Sequence, residues 1–172
     1  MGTDRHNEKR NFCLYLKPLK KRTIKRNDMT IPELLQQIAQ VACPGYHWYY
    51  DIRQMQNVEA DNAHFPAVWM EEYYAERSIV NGYTRVRELT VEVHFQDLVP
   101  MQGVAIDREK VREALRKTGV EPFVNAYNVK ALKDGWPEVQ EWQADPEPPM
   151  FDANATGVLL RMTIQIPACE VL

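Results

Sequence analysis

The chain holds a single serine, Ser78, with no flanking glycines, so the strained elbow that presents a serine nucleophile has no candidate. Its seven glycines are scattered singly, which excludes the clustered loops that cradle a phosphate or a dinucleotide. Three cysteines, Cys13, Cys43 and Cys169, are odd in number and far apart, which argues against a disulfide framework and fits a reducing compartment. The four histidines, His6, His47, His64 and His94, fall in four separate local settings, and no metal site is expected from them. No apolar run approaches the roughly 20 residues that cross a bilayer. Phe12 to Leu16 is too short for the core of a secretory signal, and Lys17 interrupts it, so a cytosolic setting is expected.

What is present is an ordinary globular composition, 45% apolar and 26% charged, spread unevenly in charge. Residues 1–28 carry nine Lys/Arg against three Asp/Glu, leaving twelve against twenty-one in the rest. The leader is basic and lacks apolar periodicity, so it reads as a flexible tail preceding a single α+β domain over 29–172. Its Lys20, Lys21, Arg22, Lys25 and Arg26 form a candidate basic contact, the one place where nucleic acid or an acidic partner would be met. Met29 offers an alternative start of translation.

The residue pattern predicts a mainly antiparallel sheet with a long hairpin, packed by two or three short helices. Thr30-Ile31-Pro32-Glu33 is a capping box, followed by Ile31, Leu34, Leu35, Ile38 and Ala42 at helical spacing until Cys43-Pro44-Gly45. Tyr46 to Ile52 is rich in aromatics and predicts a strand. Ala67–Ile79 and Thr84–Leu98 alternate and flank Asn81-Gly82, the signature of a tight turn, which predicts one long antiparallel hairpin, with a helix over Met70–Arg77 as the alternative for the first segment. Leu89, Val91, Val93 and Phe95 take one face of its second strand and Thr90, Glu92, His94 and Gln96 the other. Asp107 is the expected cap of a helix, with Ile106 and Val111 as a hydrophobic staple, Val111, Ala114 and Leu115 as its buried stripe and Gly119 as its end. Pro122 to Leu132 predicts a further helix with Phe123, Ala126 and Tyr127 inward. Residues 133–154 read as an irregular excursion or weak hairpin carrying Trp136 and Trp142. Val158, Leu160, Met162, Ile164 and Ile166 alternate in a final strand whose pattern matches Leu89–Phe95, so the two are expected to pair.

Candidate chemistry is sparse. His94 shares a strand face with Glu92 and reads as an alternating polar residue on a solvated face. Glu71 and Glu72, as strand neighbours, point to opposite faces and cannot share a proton; with Glu76 they read as surface charge. Cys43 and Cys169 sit at element ends with no basic neighbour in sequence and read as inert thiols. No catalytic residue and no cofactor are therefore expected. The chain does carry more aromatic and sheet-forming surface than one such sheet would cover, and Tyr46, Trp48, Tyr50, Trp69, Tyr73, Trp136 and Trp142 are the candidate interface for self-association.

The Thr30–Val41 helix, the Val86–Phe95 strand, the Asp107–Leu115 helix and the closing Gly157–Ile166 strand, in that order in a small acidic chain, resemble the tail-terminator and tail-completion proteins of long-tailed bacteriophages and prophages. The resemblance implies a non-enzymatic subunit that forms a homo-oligomeric ring, commonly a hexamer, on the end of the tail tube and joins it to the head. Its partners would be further copies of itself, tail-tube and head-connector proteins, with no membrane. It would reside in the host bacterial cytoplasm during assembly and then in the virion tail or neck. A small ligand-binding domain with an aromatic pocket at Tyr46–Tyr50 and a nucleic-acid accessory protein with a basic arm are the alternatives.

Overall fold

Matching alternation in two distant segments becomes the centre of the sheet. In the computed structural model, which describes residues 29–50, 64–71, 75–81, 84–99, 105–147 and 155–167, β4 (Thr84–Leu98) pairs antiparallel with β6 (Ala155–Pro167). The register sets Leu89 against Ile164, Val91 against Met162, Val93 against Leu160 and Phe95 against Val158. All eight side chains are buried on one face, as the shared pattern predicted. The other strands are β1 (His47–Tyr50), β2 (Ala67–Met70), β3 (Ala75–Asn81) and β5 (Trp142–Glu147). They form a six-stranded α+β sheet in the order β1-β2-β4-β6-β5, with β3 also paired to β4. Among the described residues β1 and β2 run parallel and the other pairings are antiparallel.

The apolar face is covered by helices. α1 (Ile31–Ala42) begins with the predicted capping box, in which Glu33 Oε2 accepts from the Thr30 backbone N–H at 2.7 Å and the Thr30 hydroxyl accepts from the Glu33 N–H at 3.4 Å. That backbone donor holds the Glu33 carboxyl below the usual carboxylate range. Ile31, Leu34, Leu35, Ile38 and Ala39 are its buried stripe. They join Phe123, Val124, Tyr127 and Ala131 of α3 (Glu121–Asp134) in the core over β4 and β6. Gly135 closes α3 in the left-handed conformation, at φ 75°, where an L side chain would be strained.

Three expectations are corrected. Ala67–Ile79 is not one strand: Met70 pairs with Val93 and Ala75 with Thr90, so the chain has four residues between these paired positions where β4 has two. That surplus breaks the ladder into β2 and β3, lying in succession along the same edge of β4. The helix after the hairpin, α2 (Ala105–Leu115), opens before Asp107, and Ile106 is 62% exposed, so no staple forms. Ala114 is exposed, Val111 is half-buried against the core and Leu115 is buried. Gly119 does not end that helix. It lies in a π-helical turn, Arg116–Val120, running directly into α3, and a Cβ on it would stand 2.7 Å from Phe95 Cδ1, so the position has no room for a side chain. The excursion at 133–154 contains the end of α3 and the regular edge strand β5, which pairs with β6 from Trp142–Met162 to Glu147–Gly157. Residues 1–28, Gly82 of the predicted turn, Glu72 and Tyr73, and Cys13 and Cys169 lie outside the described residues. Among the described residues no helix is long and apolar enough to cross a membrane.

Candidate functional site

The second face of the sheet holds a buried polar cluster where the alternation predicted solvent. The register brings Trp69 of β2, His94 of β4 and Leu159 of β6 into one row, and Gln96, Gly157 and Glu147 of β5 into the next. His94 is 2% exposed, Gln96 1%, Glu147 4% and Trp69 1%. The reading of His94 as a solvated residue is thus overturned. The period of two assigns it correctly to the face opposite Val93, but that face is covered at this point.

Each neighbour has a definable part. The Trp69 indole stacks flat on the imidazole, with centroids 3.6 Å apart and planes within 4°, fixing the ring in a plane across the strands. His94 Nδ1 is hydrogen-bonded to Glu147 Oε1, and Gln96 Nε2 donates to Glu147 Oε2 at 3.5 Å. Gly157 makes this possible: a Cβ there would lie 2.6 Å from Glu147 Oε2 and 2.9 Å from both Gln96 Cγ and the Phe95 carbonyl oxygen. The missing side chain is the space the carboxylate occupies. Arg112 of α2 donates to the Glu147 backbone carbonyl at 2.8 Å and to Thr156 Oγ1 at 3.1 Å, and Arg116 to the Ala144 carbonyl at 3.2 Å, which anchors β5 from the helix side.

The other ring nitrogen, His94 Nε2, is buried with no hydrogen-bond partner among the described residues. It faces Glu71 Oε1 at 3.5 Å. Glu71 stands there because the ladder breaks immediately after Met70; its N–H still reaches the Glu92 carbonyl at 3.3 Å. Glu71, Glu92 and His94 offer one ligand atom each within 4.8 Å of one another. Glu92 also accepts from Arg161 Nε at 2.7 Å, and Arg161 donates on to Asp145 at 2.6 Å. The Glu92 hydrogen bond holds the Arg161 guanidinium above its ordinary value. An imidazole and two carboxylates converging in this way could hold a metal ion.

The candidate interface residues do not form one surface. Tyr46 is half-buried, its hydroxyl 2.7 Å from Thr118 Oγ1 and its ring edge-on to Phe95, and burial raises its phenol above the ordinary value. Trp48 packs against the core, and Tyr50 is exposed at the β1 end of the sheet. Trp69 is not available to a partner, since it is buried against His94. Trp136 packs partly on the core beneath Lys130, and Trp142 is exposed on β5, at the opposite end of the strand order. Cys43 fits the inert reading: its thiol lies 3.4 Å from the Gly119 carbonyl, and burial pushes it up to about 12. No local pattern singles out Glu147 or Gly157. Their pairing depends on the register of β5, a strand that the Pro- and Glu-rich composition concealed. No protein-family model matches this chain, and no curated protein matches it.

Proposed function

We propose that this chain is a structural, non-enzymatic subunit of a phage or prophage tail, forming a ring that caps the tail tube and joins it to the head, first in the host cytoplasm and then in the virion. The observation that carries the reading is β3. Ala75, Glu76, Arg77, Ser78 and Val80 are exposed, and among the described residues no strand pairs with its outer edge. A seven-residue strand with so little covered is an invitation to another chain. Arg77 pairs with Glu88 and Glu76 with Arg87 across the β3–β4 ladder, on the inner side of β3, so neither pair covers its outer edge. An open groove beside it brings Arg77 and Glu88 together with Trp136 and Gln165, a second surface that a neighbouring copy would meet.

The test is the mass of the full chain in solution across a concentration series, alone and with tail-tube protein, for the wild type and for Val80→Arg. The reading expects a closed oligomer that Val80→Arg weakens. A wild-type chain that stays monomeric at high concentration and is unchanged by tail-tube protein overturns it.

A further inference from the structure

We propose that Glu71, Glu92 and His94 bind one divalent transition ion of the Zn²⁺ kind, with Glu147 as the residue that orients the imidazole. Glu147 takes Nδ1, and Trp69 fixes the plane of the ring, so Nε2 is aimed without freedom at Glu71. A neutral imidazole that gives its Nδ1 hydrogen to Glu147 presents a lone pair at Nε2. In that tautomer the lone pair would face a carboxylate oxygen at 3.5 Å with no hydrogen bond of its own, an unfavourable contact that a cation between the two would convert into a favourable one. The carboxylate–imidazole pairing behind it is the usual support of a metal-bound histidine, since it fixes the tautomer and raises the basicity of the ligating nitrogen.

The dimensions agree. Zinc bonds of about 2.0–2.2 Å in a tetrahedron separate ligand atoms by roughly 3.3–3.6 Å, and Nε2 and Glu71 Oε1 are already 3.5 Å apart. The widest separation in the trio, within 4.8 Å, closes by rotation of two glutamate side chains, of which Glu71 is 46% exposed and free to move. Arg161 engages Oε1 of Glu92, leaving its second oxygen for the ion. One imidazole and two carboxylates suit zinc or a neighbouring first-row ion; magnesium and calcium call for oxygen-only shells. Three protein ligands also leave a fourth position open. The ion would bridge the point where β2 leaves the ladder to the centre of β4.

The experiment is calorimetric titration of ZnCl₂ into the full chain after treatment with a chelator, with wild type, Glu71→Gln, Glu147→Gln and the His47→Ala/His64→Ala pair. The last is the control, because His47 and His64 stand 4.8 Å apart, ring to ring, on the other side of β2 and could take zinc adventitiously. One ion per chain is expected, with affinity reduced at least about ten-fold by Glu71→Gln, on the order of 10–100-fold by Glu147→Gln, and unchanged in the control. Nitrogen-15 spectra should show the zinc-dependent shift at His94 Nε2. Glu71 is partly exposed, so its substitution leaves the fold intact and decides the question even if Glu147→Gln does not fold. Failure to bind zinc, zinc binding that Glu71→Gln leaves undiminished, or binding lost only in the control overturns the assignment. The oligomer measurement under Proposed function is independent of any of these results.

Discussion

The two halves of β4 share one alternating pattern and the same partner strand, yet they differ in what lies on their polar side. In the outer half that side carries Glu88, which meets Arg77 of β3 and Gln165 of β6, followed by an exposed Thr90. In the inner half His94 and Gln96 are buried as completely as Val93 and Phe95 on the opposite side. The residue types record the difference. Where the second face is wet, β3 and β4 face each other with the opposite charges of Arg77 and Glu88; where it is covered, β4 carries His and Gln and its neighbour a tryptophan. Alternation identifies the apolar face, but only the chemistry of the other residues tells whether the second face meets water.

The largest effect is expected where the halves agree. Val93→Asp in the inner half and Ile164→Asp, opposite Leu89, each place a carboxylate among residues that are 0% exposed, and each should cost several kcal/mol and unfold the chain in urea or thermal melts. A chain that retained its fold with either substitution would show that the helices do not pack over this face.

The next prediction separates the halves. His94→Leu removes the partner of the Glu147 carboxyl inside the sheet and should cost about 3 kcal/mol. Thr90→Leu, four residues earlier on the same face, should change stability by less than about 0.5 kcal/mol, since it alters an exposed position. Equal losses in urea denaturation would erase the distinction between the halves.

Gly157→Ala tests how the inner cluster is accommodated. The new methyl would meet the Glu147 carboxylate and the rigid Phe95 carbonyl at once, and should cost about 1–3 kcal/mol. Gly45→Ala, where nothing lies within 4 Å, should stay within a few tenths of a kcal/mol. A silent Gly157→Ala would mean that β5 shifts easily against β6.

These contrasts mark where the sequence was legible. The β4–β6 pairing, the Thr30 capping box and the inward Phe123 and Tyr127 follow from periodicity and local hydrogen bonding, which a short window contains. Gly119 misled because a helix-ending glycine and a glycine under an aromatic ring look alike in sequence; only the position of Phe95, twenty-four residues earlier, separates them. The interruption at 71–74 is a matter of register between strands, to which a single strand's alternation is blind. The polar cluster rests on two such non-local facts. Glu71 reaches His94 because a ladder breaks, and Glu147 reaches it because Gly157 has no side chain.

The smallest expected effect belongs to the outer half. The Arg87 guanidinium holds the Glu76 carboxyl below its ordinary 4.5, through hydrogen bonding first and charge second. In the unfolded chain that carboxyl returns to the ordinary value, so the pair's contribution is fully present above 4.5 and fades as pH falls below it toward the folded-state value. Side chains 40% and 38% exposed leave the pair well screened, and a few tenths of a kcal/mol is all it should supply at neutral pH. Glu76→Gln should therefore destabilise the chain slightly at neutral pH in urea melts, and the gap from wild type should narrow as the pH is lowered below 4.5. It should also shrink in high salt. A gap that widened on acidification would mean that Glu76 gains its partner only when protonated, which the two Arg87 hydrogen bonds do not allow.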